Sequence, residues 1–206
     1  MTALVRTPIG AVCNRLDGGH RWKQANGSRA ARFRYRCHLK LPANRHIPLL
    51  LVDVDGVISL FGFDLDARPD GSFQNVDGIH HYLSATAGEH LRRLGDSFEM
   101  VWCTGWEERA NEYLPHALAL PGPYPFLTFT GSPGGGSRHW KLDAIDAHAG
   151  PDRPVAWIDD DHGDCEDWAR DRPGPTLLVT SDPAIGITAA HVEELLRWAA
   201  GLRESG

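Results

Sequence analysis

The stretch PLLLVDVDGV, residues 48–57, drives a run of leucine and valine into Asp53 and Asp55 and then breaks at Gly56. A strand buried on both faces has no use for carboxylates, so a pair at its end marks a place for chemistry. Residues two apart on an extended chain face the same side, and the turn at Gly56 modifies that geometry. Further polar groups follow other apolar runs. Thr104 and Gly105 come after FEMVWC, Lys141 stands in HWK, and Asp159, Asp160 and Asp161 close PVAWIDDD, with Asp164 nearby. Several carboxylates gathered at one point repel unless a cation sits among them or some take up protons. Oxygen donors without His or Cys suit Mg²⁺, which keeps several waters and shares a phosphate.

The elements that must position these groups can be read from the apolar runs, which cover 47–54, 98–104, 125–130, 154–159 and 175–180. Most lack in/out alternation, as expected of strands covered on both faces. Helical patterns lie between them. Thr86 and Glu89 have capping-box spacing before Leu91 and Leu94, and residues 106–120 are helical in character with Pro115 as a breaker. Ser137 is placed to cap a helix reaching His148, with Lys141 in its first turn, and Val192, Leu195, Leu196, Ala199 and Leu202 form a stripe. Alternating strand and helix predicts a doubly wound α/β sandwich with a mainly parallel sheet of about five strands. Ligands of such sheets sit beyond the strands' carboxyl ends, where Asp53, Asp55, Thr104 and the acidic run would gather.

There Asp53 is a candidate nucleophile toward phosphorus, giving an aspartyl phosphate. Asp55 would protonate the leaving oxygen and later take a proton from water. Thr104, Gly105 and Lys141 would receive the phosphoryl oxygens. Asp53, the backbone carbonyl of Asp55 and a carboxylate of the acidic loop would hold Mg²⁺.

Asp53-Val54-Asp55-Gly56-Val57, Thr104, Lys141 and AWIDDD, in that order, resemble the four motifs of the haloacid dehalogenase (HAD) superfamily in its phosphatase branch. The resemblance implies a Rossmannoid three-layer fold and Mg²⁺-dependent hydrolysis of phosphomonoesters. The second aspartate matters most, because dehalogenases and phosphonate-cleaving relatives lack it, and the P-type pump signature is absent. The fourth motif aligns as Asp159-Asp160 or as Asp160 with Asp164, and the first pair is favoured as metal ligands. DVDGV, VWCTGWEERAN, HWK, AWIDDD and SDPAIGIT with HVEELLRWA look closer still to the HAD domain associated with Swiss Army Knife RNA repair proteins. That association implies a phosphorylated substrate, a small molecule or an RNA or DNA end. The segment SFQNVDGIHHYLS reads as a hairpin turning at Asp77-Gly78, too small for a substantial cap domain, and an open site is expected. A noncatalytic phospho-ligand or RNA-binding module, and a phosphotransferase to an acceptor other than water, are the competing classes.

Composition adds an asymmetry. Residues 1–46 hold ten Lys or Arg against the single Asp17, a net +9, while the rest holds 11 basic and 26 acidic residues, a net −15. The basic segment, without an apolar period, reads as a poorly ordered extension ahead of a hydrolase domain at 47–203, and as a nucleic-acid contact. Cys13, Cys37, Cys103 and Cys165 form no Cys-x-x-Cys pair, so reduced thiols are expected. With neither a signal-peptide pattern nor a membrane-length apolar run, a cytoplasmic protein is expected. Trp102, Trp106, Trp140 and Trp157 read as core packing, and His80, His81 and His139 as ordinary histidines within reach of the site.

Overall fold

The computed structural model describes residues 47–131 and 138–204. The basic extension 1–46, Cys13 and Cys37 within it, and the expected Ser137 cap lie outside the described residues. β1 (Leu49–Val52) pairs in parallel with β5 (Glu99–Trp102) on one side and β6 (Val155–Asp159) on the other. β6 pairs in parallel with β7 (Thr176–Thr180), giving the order β5-β1-β6-β7. All four residues of β1 are buried, which explains the absence of alternation.

Helices cover both faces. Leu50 and Val52 belong to a core with α1 (Ala87–Leu94), α2 (Arg109–Ala117) and α5 (Ala189–Glu204). Leu49 and Leu51 belong to a second core with α3 (Leu142–Ala149) and α4 (Cys165–Asp171). Alternate residues of one strand thus feed two cores, the mark of a three-layer α/β/α sandwich with a parallel sheet, the architecture expected from the resemblance. None of the described helices is long and apolar enough to cross a membrane.

Four details differ from the sequence reading. The run 125–130 is not a strand: it makes one isolated parallel bridge, Trp102 with Phe126, so the sheet has four full strands. Pro125 lacks the N–H that would extend the ladder backward, and the Phe129 N–H that would extend it forward donates to Glu107 Oε1 instead. Thr86 does precede α1, but its side chain makes no capping bond and its hydroxyl pairs with that of Ser84. Pro115 does not split α2, which ends two residues later. Lys141 occupies the position just before α3 rather than its first turn.

The connection between β1 and α1 forms a small antiparallel sheet, β2 (Ser59–Leu60), β4 (Ile79–Ser84) and β3 (Gly71–Val76), in the order β2-β4-β3. The β3–β4 hairpin turns at Asp77 and Gly78, both with positive φ (51° and 87°), as a two-residue hairpin requires. Its tip is tied to α2, where Arg109 pairs with Asp77 and the Tyr113 hydroxyl donates to the same carboxylate at 2.9 Å.

Candidate active site

The sheet register decides what meets what. Val52 lies beside Trp102 and Ile158, the Asp53 N–H donates to the Ile158 carbonyl (3.0 Å), and the Cys103 N–H donates to the Val52 carbonyl (2.8 Å). Asp53 follows β1, Thr104 follows β5 after Cys103, and Asp159 is the last residue of β6, so all three stand at one edge of the sheet. A cavity of about 460 Å³ opens there, lined by Asp53, Asp55, Gly105, Lys141, Asp159 and Asp160 among others.

Its floor is a closed, buried network. Lys141 Nζ lies 3.1 Å from Asp53 Oδ2 and 2.6 Å from Asp159 Oδ2, and all three residues are buried. Trp157 Nε1–H donates to the same Asp159 oxygen at 2.9 Å, and the Asp161 N–H donates to Oδ1 at 3.1 Å. Both oxygens of Asp159 are thus engaged by the protein. Burial pushes Asp53 up to about 7, because the opposing pull of Lys141 is partly undone by Asp159. Burial also raises Asp159 against the pull of Lys141, and raises Asp160, with Asp53 adding to the effect. For Lys141 burial acts downward, but Asp53 and Asp159 outweigh it and hold the ammonium above its ordinary range.

One ammonium among these carboxylates leaves excess negative charge. Asp53, Asp159 and Asp160 each offer an oxygen within 4.8 Å of the others, an all-oxygen set that fits a hard divalent cation. A cation there would reverse the upward shifts. Gly56 permits this packing: at φ +73° a Cβ on it would come within 2.3 Å of the Asp160 side chain. Asp164 stands instead at the position before α4, outside the cluster.

The rim is built differently. The Asp55 side chain is 49% exposed, and Trp106 Nε1–H donates to its Oδ2 at 3.0 Å. His81 Nδ1 lies 3.6 Å from Asp55 Oδ1 and 3.0 Å from the Ser59 hydroxyl, while its ring packs edge-on against Trp106, centroids 4.5 Å apart. Thr104 is buried and accepts the Trp106 N–H at 3.4 Å, so the cavity wall at this turn is Gly105 rather than the threonine side chain. Trp102, Trp106 and Trp157 are buried, as packing residues should be, yet two of them also direct an indole N–H at a site carboxylate. The usable signal was position: Trp106 is two residues after Thr104, and Trp157 two before Asp159. His139 lines the cavity, whereas His80 is exposed on the hairpin. Cys103 is sealed in the core and burial pushes its thiol well above the ordinary range, which leaves it inert.

A family model described as "HAD domain in Swiss Army Knife RNA repair proteins" matches residues 49–192, a span that includes every group of this site. No curated protein matches the chain.

Proposed function

Because the chain belongs to the family of HAD domains found in Swiss Army Knife RNA repair proteins, we propose that its phosphohydrolase-type site is a Mg²⁺-dependent phosphomonoesterase working through an aspartyl phosphate. The observation that carries this reading is the floor, where a buried lysine joins Asp53 to Asp159 at the carboxyl edge of a parallel sheet. No structural role needs that arrangement, since burying three charged groups costs more than a hydrophobic replacement.

Asp53 attacks phosphorus with one carboxylate oxygen. Its Oδ2 stays against Lys141, whose ammonium also offsets the charge of the incoming phosphate. As the bond between phosphorus and the ester oxygen breaks, Asp55 gives that oxygen a proton, and the alcohol leaves. Asp55, now ionised, takes a proton from water while the water oxygen attacks phosphorus. The bond to Asp53 breaks and inorganic phosphate departs. The Gly105 amide serves as a donor to the phosphoryl oxygens, and Thr104, buried behind it, accepts the Trp106 N–H and holds the turn.

Asp53, Asp160, Asp159 and the backbone carbonyl of Asp55 would hold Mg²⁺, which when bound neutralises charge on the transferring group. Asp160 is the better direct ligand, because Asp159 is already engaged by Lys141, Trp157 and Asp161. Action on nucleic-acid ends is supported by the family's description and by the net +9 of residues 1–46.

The test is phosphate release from an aryl phosphate with Mg²⁺ or with chelator. Turnover should need the metal and fall by at least about 10³-fold in Asp53→Asn. Turnover that survives the substitution would sink the covalent mechanism. Deleting residues 1–46 should weaken RNA binding, and unchanged binding would remove the nucleic-acid part of the reading.

A further inference from the structure

One wall of the cavity is aromatic and meets the floor through Trp140, whose ring centroid lies 5.2 Å from Lys141 Nζ. Phe129 and Trp140 both line it, neither fully buried, with ring centroids 4.6 Å apart in an edge-to-face arrangement. The other tryptophans beside the motif residues, Trp102, Trp106 and Trp157, are sealed in the core. Two glycines make room for the Trp140 indole. Its Cη2 is 3.8 Å from where a Cβ on Gly105 would lie, and its Cβ is 3.3 Å from where one on Gly131 would lie. The indole therefore runs along the wall from the phosphate-facing turn at Gly105 outward. The Phe129 backbone is fixed beside the cavity: its N–H donates to Glu107 Oε1 at 2.9 Å, and Glu107, also in the lining, holds a left-handed backbone (φ 50°), a strained state for a non-glycine residue.

The charge of the lining sets a second condition. Asp53, Asp55, Glu107, Asp159, Asp160 and Asp161 face a single ammonium, Lys141, which the floor network already uses. His139 adds no charge near neutrality, because burial and then Lys141 lower its pKa. Arg138 is turned to Asp143 and Asp146 on α3. A second phosphate would thus meet carboxylates and no spare cation among the described lining residues. An uncharged planar ring would meet aromatic surface.

We propose that the Phe129–Trp140 wall seats the uncharged base of a terminal nucleotide, so that the site takes a nucleoside monophosphate, free or at a strand end, and rejects a second phosphate inside the cavity. This rests on the phosphomonoesterase reading above and names the group that must accompany the phosphate. The next phosphodiester of a strand then lies outside the cavity.

The experiment compares kcat/KM of the full chain, with Mg²⁺, for ribose 5-phosphate, adenosine 5′- and 3′-monophosphate, adenosine 3′,5′-bisphosphate and a short oligonucleotide carrying a terminal phosphate. The better monophosphate should exceed ribose 5-phosphate by roughly tenfold or more, the scale of base stacking on an aromatic side chain. The bisphosphate should fall below its matching monophosphate. Trp140→Leu should lower the nucleotide-to-ribose ratio toward one, chiefly through KM, and Phe129→Leu should lower it in part if the first variant fails to fold. Equal values for ribose phosphate and nucleotide in the unaltered protein, or a ratio unchanged in both variants, overturns the proposal. The oligonucleotide decides between sources: turnover at or above the free nucleotide assigns strand ends, and the reverse assigns the free nucleotide. If acetyl phosphate too is not hydrolysed, the phosphatase reading fails by itself. Calorimetric binding of adenosine monophosphate against ribose 5-phosphate, both to Asp53→Asn, then decides the wall independently: tighter nucleotide binding supports it, and equal binding overturns it.

Discussion

Two halves of the same cavity are built on opposite principles. The floor joins Asp53, Lys141 and Asp159 in a buried network whose members leave the ends of parallel strands or stand at the start of α3. The rim holds Asp55 half in solvent, fixed by Trp106 from the β5–α2 turn and approached by His81 from the small antiparallel sheet. The floor derives its precision from burial, where charges interact strongly and any loss leaves an unpaired ion. The rim leaves a carboxyl half in solvent and uses one neutral N–H to aim it.

Lys141→Met should break the floor side of the comparison most severely. It leaves Asp53 and Asp159 facing each other without a counter-charge, a loss on the order of 3 kcal/mol in stability near pH 8, together with nearly all turnover. Thermal melting in chelator would measure it. The loss should shrink toward pH 5, where Asp53, already raised to about 7 by burial, takes up a proton. A melting temperature that falls equally at both pH values would contradict the electrostatic account.

The unaltered protein should show a related trend. With its folded pKa near 7 and an unfolded value of 3.8, Asp53 binds more protons folded than unfolded between those limits. Its contribution therefore makes the chelated protein less stable as pH rises from about 4 through about 7. Asp159 and Asp160, shifted the same way, steepen the fall. Mg²⁺ should flatten the slope, since it favours the ionised carboxylates and stabilises the form that binds it. A slope in chelator equal to that in Mg²⁺ would show that these carboxylates do not share a cation.

The two halves also differ in how far sequence reveals them. Asp53 and Asp159 close apolar runs, and parallel pairing brings them with Thr104 to one edge, whereas Lys141 follows no apolar run and is legible only from its place at the start of the helix before β6. Trp106 meets Asp55 across 51 positions, and His81 reaches it from a strand whose partner β2 is two residues long. No local periodicity encodes such contacts, because they depend on how the small sheet is laid over the β5–α2 turn. The loss of a fifth strand at 125–130 has a similar origin, since Pro125 removes one donor and the Phe129 N–H is claimed by the Glu107 side chain, 22 positions away. Gly56 was legible as a turn, but not as the space that admits Asp160.

Trp106→Phe tests the rim with a smaller expected effect. It removes the N–H that holds Asp55 Oδ2 and keeps most of the buried ring. If Asp55 is the proton donor, kcat for an alkyl phosphate should fall by roughly tenfold, about the worth of one well-placed hydrogen bond to a charged group. An aryl phosphate, whose leaving oxygen needs little protonation, should lose much less in the attack step. Equal losses on both substrates would mean that Trp106 supports the fold and does not aim the acid.

Arg109→Ala probes the same rim from farthest away. Arg109 and Tyr113 hold Asp77 at the hairpin tip, and both arms of that contact are exposed to solvent screening, so its removal should leave global stability nearly unchanged. The hairpin carries His81 in β4, however, and the position of His81 against Asp55 and Trp106 depends on how that strand lies. Amide exchange should therefore rise across residues 71–84 while residues 49–52 in the central strand keep their protection. Alkyl phosphate turnover should drop by a few-fold at most, with the aryl substrate nearly unaffected. Should exchange rise equally in β1, the small sheet and the core would open as one unit, and the division between a rigid floor and an adjustable rim would not hold.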